Sequence, residues 1–490
     1  MKKLALLIFV CSTIALFSQN DKALVEETIS KSNIEGHIYF LSDDLLKGRE
    51  TGTPENKIAA AYLANAFRGY GVKPNPKTGT YYQKVLLEKK NPPMLRVTLN
   101  GTATKHAVAM AAEEIRYTGD AVFVGFGLEE DYKGKDVKGK VVLVEAGSAS
   151  VKDTQGAFGL IQKKQAAAEK AGAIGIVELI DVPEQIWSFI DHNFNAPSLE
   201  IAAPKNSSET AKIPYVWVKD SNGTMLNSIE SQKKNALALS LSASKKTEVV
   251  SQNVIGVVEG TDPNLKNEYI IYSAHYDHVG IGTPDTTGDT IYNGARDNAV
   301  GTTTVLSMAE NLAKYPTKRS ALFILFTGEE KGLLGSQFYV ENPVLPLEQM
   351  VYCFNSDNGG YNDTTKATII GLPRTTAETH IKNAVSTFGL TAIDDPAPEQ
   401  GLFDRSDNVH FAKKGIPAPT FSMGFTSFDG EVTKYYHRPG DHADSMDFDY
   451  LTKFFRAYVM SGRLIGNDPN TPRWTAGDVY EAAAKTLYGY

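Results

Sequence analysis

From residue 249 onward the sequence alternates short apolar runs with longer amphipathic stretches, and no other feature restricts the fold as strongly. Runs that are apolar at almost every position need cover on both faces, which is the condition of strands in a mostly parallel sheet wrapped by helices. Strands are expected at 254–258, 269–273, 321–326, 351–354 and 420–423, and helices at 299–314 and 377–388. A terminal helix is expected around Val479, Ala482 and Leu487. The expected fold class is α/β: a mostly parallel twisted sheet with helices on both faces.

Upstream the pattern differs. A polar loop after Leu41 leads into an amphipathic helix, with Thr53 as cap, Pro54 at the first helical position, and Ile58, Ala61, Tyr62 and Phe67 at helical spacing. Short β-type runs at 121–124, 141–145, 174–179 and 215–218, with an Ala/Lys-rich helix at 162–171 before Gly172, suggest a small α+β insert at 113–247. The main domain is then 19–112 joined to 248–490. The first eighteen residues read as a signal peptide, with Lys2 and Lys3 ahead of an apolar run to Leu16 and a cleavage point near Ser18. Cys11 follows Ile8, Phe9 and Val10, without the small residue a lipoprotein site wants. The protein is thus expected to be exported, periplasmic or extracellular, with no stable membrane insertion after cleavage. Cys353 is the one cysteine left beyond the leader, so no internal disulfide is expected. The net charge of −7 argues against a nucleic-acid partner held by bulk phosphate neutralisation.

In open α/β sheets ligands gather at the carboxyl ends of the strands. Those ends are unusually polar here. The 269–273 run leads to His275-Tyr276-Asp277, the 321–326 run to Thr327-Gly328-Glu329-Glu330, and the 351–354 run to Asn355-Ser356-Asp357. Gly294-Ala295-Arg296-Asp297-Asn298 opens a helix between the first two, and Tyr435-Tyr436-His437-Arg438-Pro439-Gly440-Asp441 lies downstream. So much negative charge at one edge would keep some carboxyls protonated unless cations share it. Imidazole and carboxylate without thiolate suit an open hydrolytic zinc site rather than a closed structural one. Two divalent ions about 3.5–4 Å apart stabilise both the attacking and leaving groups of a displacement. Taken singly, His275 is a strand-end polar residue, Glu329-Glu330 a helix-start acidic pair and Asp297 a cap; the metal reading rests on their occurring together and in order.

These residues resemble the two-zinc exopeptidases typified by bacterial leucyl aminopeptidases and related to glutamate carboxypeptidase II. The resemblance runs through His275-x-Asp277, Gly294-x-x-Asp297-Asn298-x-x-Gly301, Thr327-Gly328-Glu329-Glu330-x-Gly332-x-x-Gly335-Ser336, Asn355-x-Asp357 and Tyr436-His437-x-Pro439-x-Asp441, with Arg405-Ser406-Asp407 and, near the start, Gly48-Arg49-Glu50-Thr51-Gly52. It implies the zinc-exopeptidase, phosphorylase/hydrolase-like fold and two Zn²⁺ per chain. One zinc would be held by His275, Asp357 and a bridging Asp297, the other by Glu330, His437 and the same Asp297. Glu329 would be the general base, Asp277 would orient His275 through its far nitrogen, and Tyr435 or Tyr436 would face the oxyanion or substrate. The 131–144 and 164–178 stretches resemble a protease-associated domain, which in such enzymes shapes or covers the substrate cleft. Arg296 and Asn408 depart from the family pattern, and His278, His410 and His442 are left as structural.

The activity implied is that of a secreted zinc aminopeptidase acting on peptides. A carboxypeptidase or dipeptidase would need a cation for the substrate carboxylate, for which Arg296, Arg374 and Arg405 are candidates. A one-zinc glutaminyl cyclase and a metal-free receptor-like protein are further alternatives, and the second predicts missing ligands where none is missing. Oligomeric state is not legible.

Overall fold

Along the strand Tyr269–His275 side chains alternate between two cores. Ile270, Tyr272 and Ala274 pack with Phe323, Leu325, Tyr352 and Phe354 on one face, while Ile271 packs with Leu322, Ile324, Phe326 and Cys353 on the other. Both faces are therefore apolar, as the uninterrupted runs demand. In this computed structural model residues 21–202, 212–232 and 234–489 are described; the leader expected over 1–18 lies outside them. They form two compact units, one from the residues before Leu87 and from Val250 onward, the other from Leu87–Val249.

In the first unit the sheet runs in the order 391–393, 366–370, 420–423, 350–356, 269–275, 320–326, 246–258. The four consecutive strands from Thr420–Met423 to Ser320–Phe326 pair in parallel, so their carboxyl ends share one edge. Lys246–Val258 and Lys366–Ile370 run antiparallel to their neighbours among these four. Helices Gly301–Lys314 and Phe448–Asn467 cover one face. The second unit has its own sheet, in the order 102–104, 95–99, 235–241, 115–123, 141–145, 175–180, 215–219, 107–111, with the helix Thr154–Ala171 ending at Gly172 in a left-handed cap. Inside it Lys164 and Glu178 form a fully buried ion pair, and Glu178 also accepts from Tyr215 and Trp217.

Several expectations shift. The insert begins at Leu87, not 113, because Leu95–Leu99 pairs with Asn235–Leu241 and Ala107–Ala111 pairs with Tyr215–Lys219. Thr53 caps Pro54–Tyr70 as expected, yet Ile58 is exposed; the buried stripe is Asn56, Ala59, Ala60, Leu63, Ala64 and Phe67. The terminal helix is Glu481–Tyr488, and Val479 stands outside it in solvent.

The amino-terminal segment is fastened beneath the site. Gly48 adopts φ +68°, and a Cβ there would lie 2.4 Å from the Tyr292 carbonyl oxygen and 2.6 Å from that of Gly280. The next side chain, Arg49, is buried and donates to the carbonyls of Tyr276 (2.8 Å), Asn293 (2.6 Å), Gly294 (3.0 Å) and Leu41. Burial lowers its pKa to about 10 against the pull of Asp277, Asp297, Asp441 and Glu330, so it stays charged. Replacing Arg49 by Leu strands these carbonyls, and a loss of about 3 kcal/mol or more is expected in urea unfolding. A loss below about 1 kcal/mol would show that the carbonyls find other donors.

Candidate metal centre

Each functional side chain is delivered by a strand end or by a turn held from behind. His275 closes Tyr269–His275, and its carbonyl accepts from Thr302 Oγ1 at 2.7 Å, tying the strand to the helix that follows the site. Asp297 sits in the turn 295–300, whose backbone is gripped by the Asp441 carboxylate: the Arg296 amide donates at 2.9 Å and the Asp297 amide at 3.2 Å. Glu329 and Glu330 follow Ser320–Phe326 across Gly328, which takes φ +73°. Asp357 follows Met350–Ser356, and its carbonyl accepts from Ser422 Oγ at 2.6 Å. His437 lies in the loop after Gly430–Thr433, with a left-handed backbone at φ +52°.

The two carboxylate oxygens of Asp297 face different histidines. Oδ1 lies 3.3 Å from His275 Nε2, and Oδ2 lies 3.1 Å from His437 Nε2. His275 Nε2 is also 3.2 Å from Asp357 Oδ1, and His437 Nε2 is 3.0 Å from Glu330 Oε2. Two donor sets thus share one carboxylate. Glu329 stands on the His275 side, its Oε2 3.9 Å from Nε2. Ligand atoms of His275, Asp297 and Asp357 lie within 4.8 Å of one another, as do those of His278, Asp297, Glu330 and His437. Separations near 3 Å between nitrogen and oxygen atoms, in a set without sulfur, fit the edges of zinc coordination shells.

The electrostatics fit a cation as well. Burial would raise Asp297, but hydrogen bonds from His275 and His437 hold it well below the carboxylate range. Glu330 is likewise held down, to about 2: the penalty of burial and the nearby Asp297 charge are outweighed by His278 and His437. Burial would depress His437, yet its bonds to Asp297 and Glu330 push it up to about 10, and His275 is raised for the same kind of reason by Glu329, Asp357 and Asp297. Glu329 is pushed well above its ordinary value by burial and by the Asp357 and Glu330 charges. Protons on two histidines stand in for the positive charge that this edge requires.

All five expected ligands and Glu329 come together. Asp277 differs from expectation: it is its backbone carbonyl that lies 3.2 Å from His275 Nδ1, while its carboxylate oxygen is 3.9 Å away. The carboxylate instead accepts from Thr51 Oγ1 at 2.7 Å and from the Glu329 amide at 3.3 Å, so it holds the loop bearing Glu329. Of the two tyrosines, Tyr436 lines the cleft and stacks on His437 at 4.0 Å, whereas Tyr435 lies under the Arg296 guanidinium at 3.7 Å. Arg296 is buried against Asp441, and Arg374 is bound to Asp478 at 2.7 Å, so neither offers a free cation; Arg405 lines the cleft. Asn408 donates to the Ala418 carbonyl at 3.0 Å. Sequence reasoning left His278 outside the site, where the structure puts it 2.7 Å from Glu330 Oε1. It also gave no role to Asp407, whose buried carboxylate is pushed up to about 7 by burial.

The chain is similar to known proteins in sequence and in fold. Aminopeptidase YwaD of Bacillus subtilis is 29% identical over 343 residues, covering 69% of this chain and 65% of that protein. Leucine aminopeptidase 2 of Arthroderma otae is 26% identical over 341 residues, covering 63% and 59%. The chain therefore spans less than two thirds of the length of these relatives. Among solved structures, an aminopeptidase from Aneurinibacillus sp. strain AM-1 shares the fold, with a TM-score of 0.57 at 20% identity over 92% of this chain and 97% of that one. Residues 108–226 match the PA domain, and residues 253–461, which include every candidate ligand, match peptidase family M28. The chain thus carries a region that matches peptidase family M28, residues 253–461, and a region that matches the PA domain, residues 108–226.

Proposed function

We propose that the protein is a zinc-dependent aminopeptidase that removes the amino-terminal residue of peptides, exported by its leader sequence. The observation that carries this reading is the splayed Asp297 carboxylate, one oxygen toward His275 and the other toward His437, with Glu329 alongside. The names of the relatives support the activity, and a donor set of imidazole and carboxylate without sulfur supports zinc. His275, Asp357 and Asp297 would hold one zinc, and Glu330, His437 and Asp297 the other; bound there, the pair supplies Lewis acidity to the scissile carbonyl and to water.

The chain's own residues do the rest. Glu329 takes a proton from the attacking water and passes it to the departing amine, a task suited to a carboxyl whose burial raises its pKa toward the working pH. Asp277, by accepting the Glu329 amide, fixes the loop from which that carboxylate projects. Tyr436, stacked on His437 with its hydroxyl 3.4 Å from Arg405 Nη2, would donate to the oxyanion. Ile370, Leu402, Phe425, Phe428 and Val432 line the cleft and favour an apolar first side chain.

Arg405 also lines that cleft, and the described residues give it no carboxylate partner, which keeps a carboxypeptidase or dipeptidase as the second reading. Free-amine and amine-blocked peptides separate the two. Aminopeptidase action requires two zinc equivalents, cleavage of free-amine substrates only, loss on chelation, and Leu over Ala by about thirtyfold in kcat/KM, or about 2 kcal/mol of buried side chain. Cleavage of blocked peptides from the carboxyl end moves the enzyme to the second reading.

Glu329→Gln keeps the shape and removes the base, so zinc content should be retained while kcat falls about 10²–10⁴-fold. Near-normal turnover would end that assignment. The metal-free cluster also sets a pH dependence. The His437 proton, held to about 10, stabilises the metal-free fold fully below the ordinary imidazole value and is lost as pH rises through 10. Zinc needs the neutral ring, so binding expels that proton, and affinity should climb about tenfold per pH unit per proton released between pH 6.5 and 8.5. Competition with a chromophoric chelator measures this, and a flat profile would mean that the rings are already neutral without metal.

A further inference from the structure

His278 stands inside the ligand cluster and has no part in the mechanism above. Its side chain is wholly buried, and its Nδ1 lies 2.7 Å from Glu330 Oε1. The other oxygen of that carboxylate, Oε2, faces His437 Nε2 at 3.0 Å. The two edges of Glu330 are therefore divided between a histidine of the expected ligand set and one outside it. The His278 ring also meets the His437 ring edge-on, with centroids 5.5 Å apart and planes at 70°. Its far face lies against Gly294, where an added Cβ would sit 2.6 Å from the ring carbons Cγ and Cδ2.

The hydrogen-bond inventory fixes the tautomer. His278 Nε2 is buried and has no partner among the described residues. A proton on Nε2 would leave an N–H unsatisfied in the interior and set two acceptors face to face at 2.7 Å. With the proton on Nδ1 the ring donates to an ionised Glu330 and leaves only a lone pair unmatched, the cheaper of the two defects.

We propose that His278 is a positioning residue for the second metal position: it grips Oε1 of Glu330 and buttresses His437, so that Oε2 and the His437 Nε2 are presented to the cation as a fixed pair. The proposal rests on the two-metal reading given above. A carboxylate clamped by one oxygen coordinates through the other alone and loses less freedom on binding, which is the gain that hydrogen-bonded outer partners give metal ligands. Among the described residues the first position has no such second histidine: Asp357 lies 3.2 Å from His275, and His278 pairs with Glu330 instead.

The test is zinc competition titration of the full chain, repeated with Co²⁺ to read the absorption bands of each equivalent, in wild type, His278→Ala and His278→Asn. His437→Ala and Asp357→Asn mark which equivalent belongs to which position. Thermal unfolding of the chelated variants monitors the fold. His278→Ala should weaken the second equivalent about 10–100-fold and change its Co²⁺ spectrum while sparing the first. His278→Asn, whose amide nitrogen can take the place of Nδ1, should restore the affinity to within about threefold. Unchanged affinities in His278→Ala, an equal loss at both positions, or no rescue by Asn would each overturn the role of His278. A wild-type chain that binds fewer than two equivalents would overturn the two-metal reading itself, which the titration distinguishes because it is seen before any substitution.

Discussion

Crowding of negative charge at one sheet edge is the constraint around which the first unit is built. Asp277, Asp297, Glu329, Glu330 and Asp357 follow parallel strands or the turn between them, and the strand alignment leaves them no room to separate. Asp277 and Asp297 are buried and Glu329, Glu330 and Asp357 only partly exposed, so water screens them weakly and the chain compensates locally. Backbone amides of Glu329, Arg296 and Asp297 are directed at Asp277 and Asp441, and the Arg49 guanidinium sits behind the loops with its positive charge. At the centre stands Asp297 between its two histidines, and there the molecule is suited to take a pair of cations.

The supports reach far along the sequence. Asp441 belongs to the same loop as His437, yet its carboxylate caps the turn that carries Asp297. The Arg296 side chain turns back to the same carboxylate at 2.9 Å and bonds Ser445, while Tyr435 covers its guanidinium. A residue that departs from the family pattern thus becomes a brace between the loops of two candidate ligands. Thr51 and Asn56 do similar work from the amino-terminal segment, Thr51 on Asp277 and Asn56 on the Arg49 carbonyl.

Much of this was legible in the sequence, and the limits have physical reasons. The central strands and the residues after them could be read because strands buried on both faces are apolar throughout, and because polar groups at their ends are conspicuous. Half-buried strands carry a weaker signal: Leu95–Leu99 and Ala107–Ala111 mix buried with partly exposed positions, which is why the expected edge of the insert falls too late. The helix Phe448–Asn467, which no expectation covered, is amphipathic and rich in buried aromatic residues. The ligands were found because their types and order carry chemistry, whereas the orienting groups escaped because backbone carbonyls and amides leave no trace in side-chain identity. The Asp277 carbonyl against His275 is one such case, and the Arg49 contacts are another. His278 could have been recovered, since it lies three residues beyond His275, just past the end of the same strand.

The spread of the ligands along the chain has a consequence of its own. His275 and His437 come from opposite ends of the unit's second segment, with Asp297, Glu330 and Asp357 between them. No shorter stretch of the chain contains both donor sets, and they meet only after the parallel strands have aligned. Cation capture is therefore a late event in the life of the chain. A partly made or partly folded molecule holds the ligand residues without their arrangement, and gains its cation site only when its own sheet is complete.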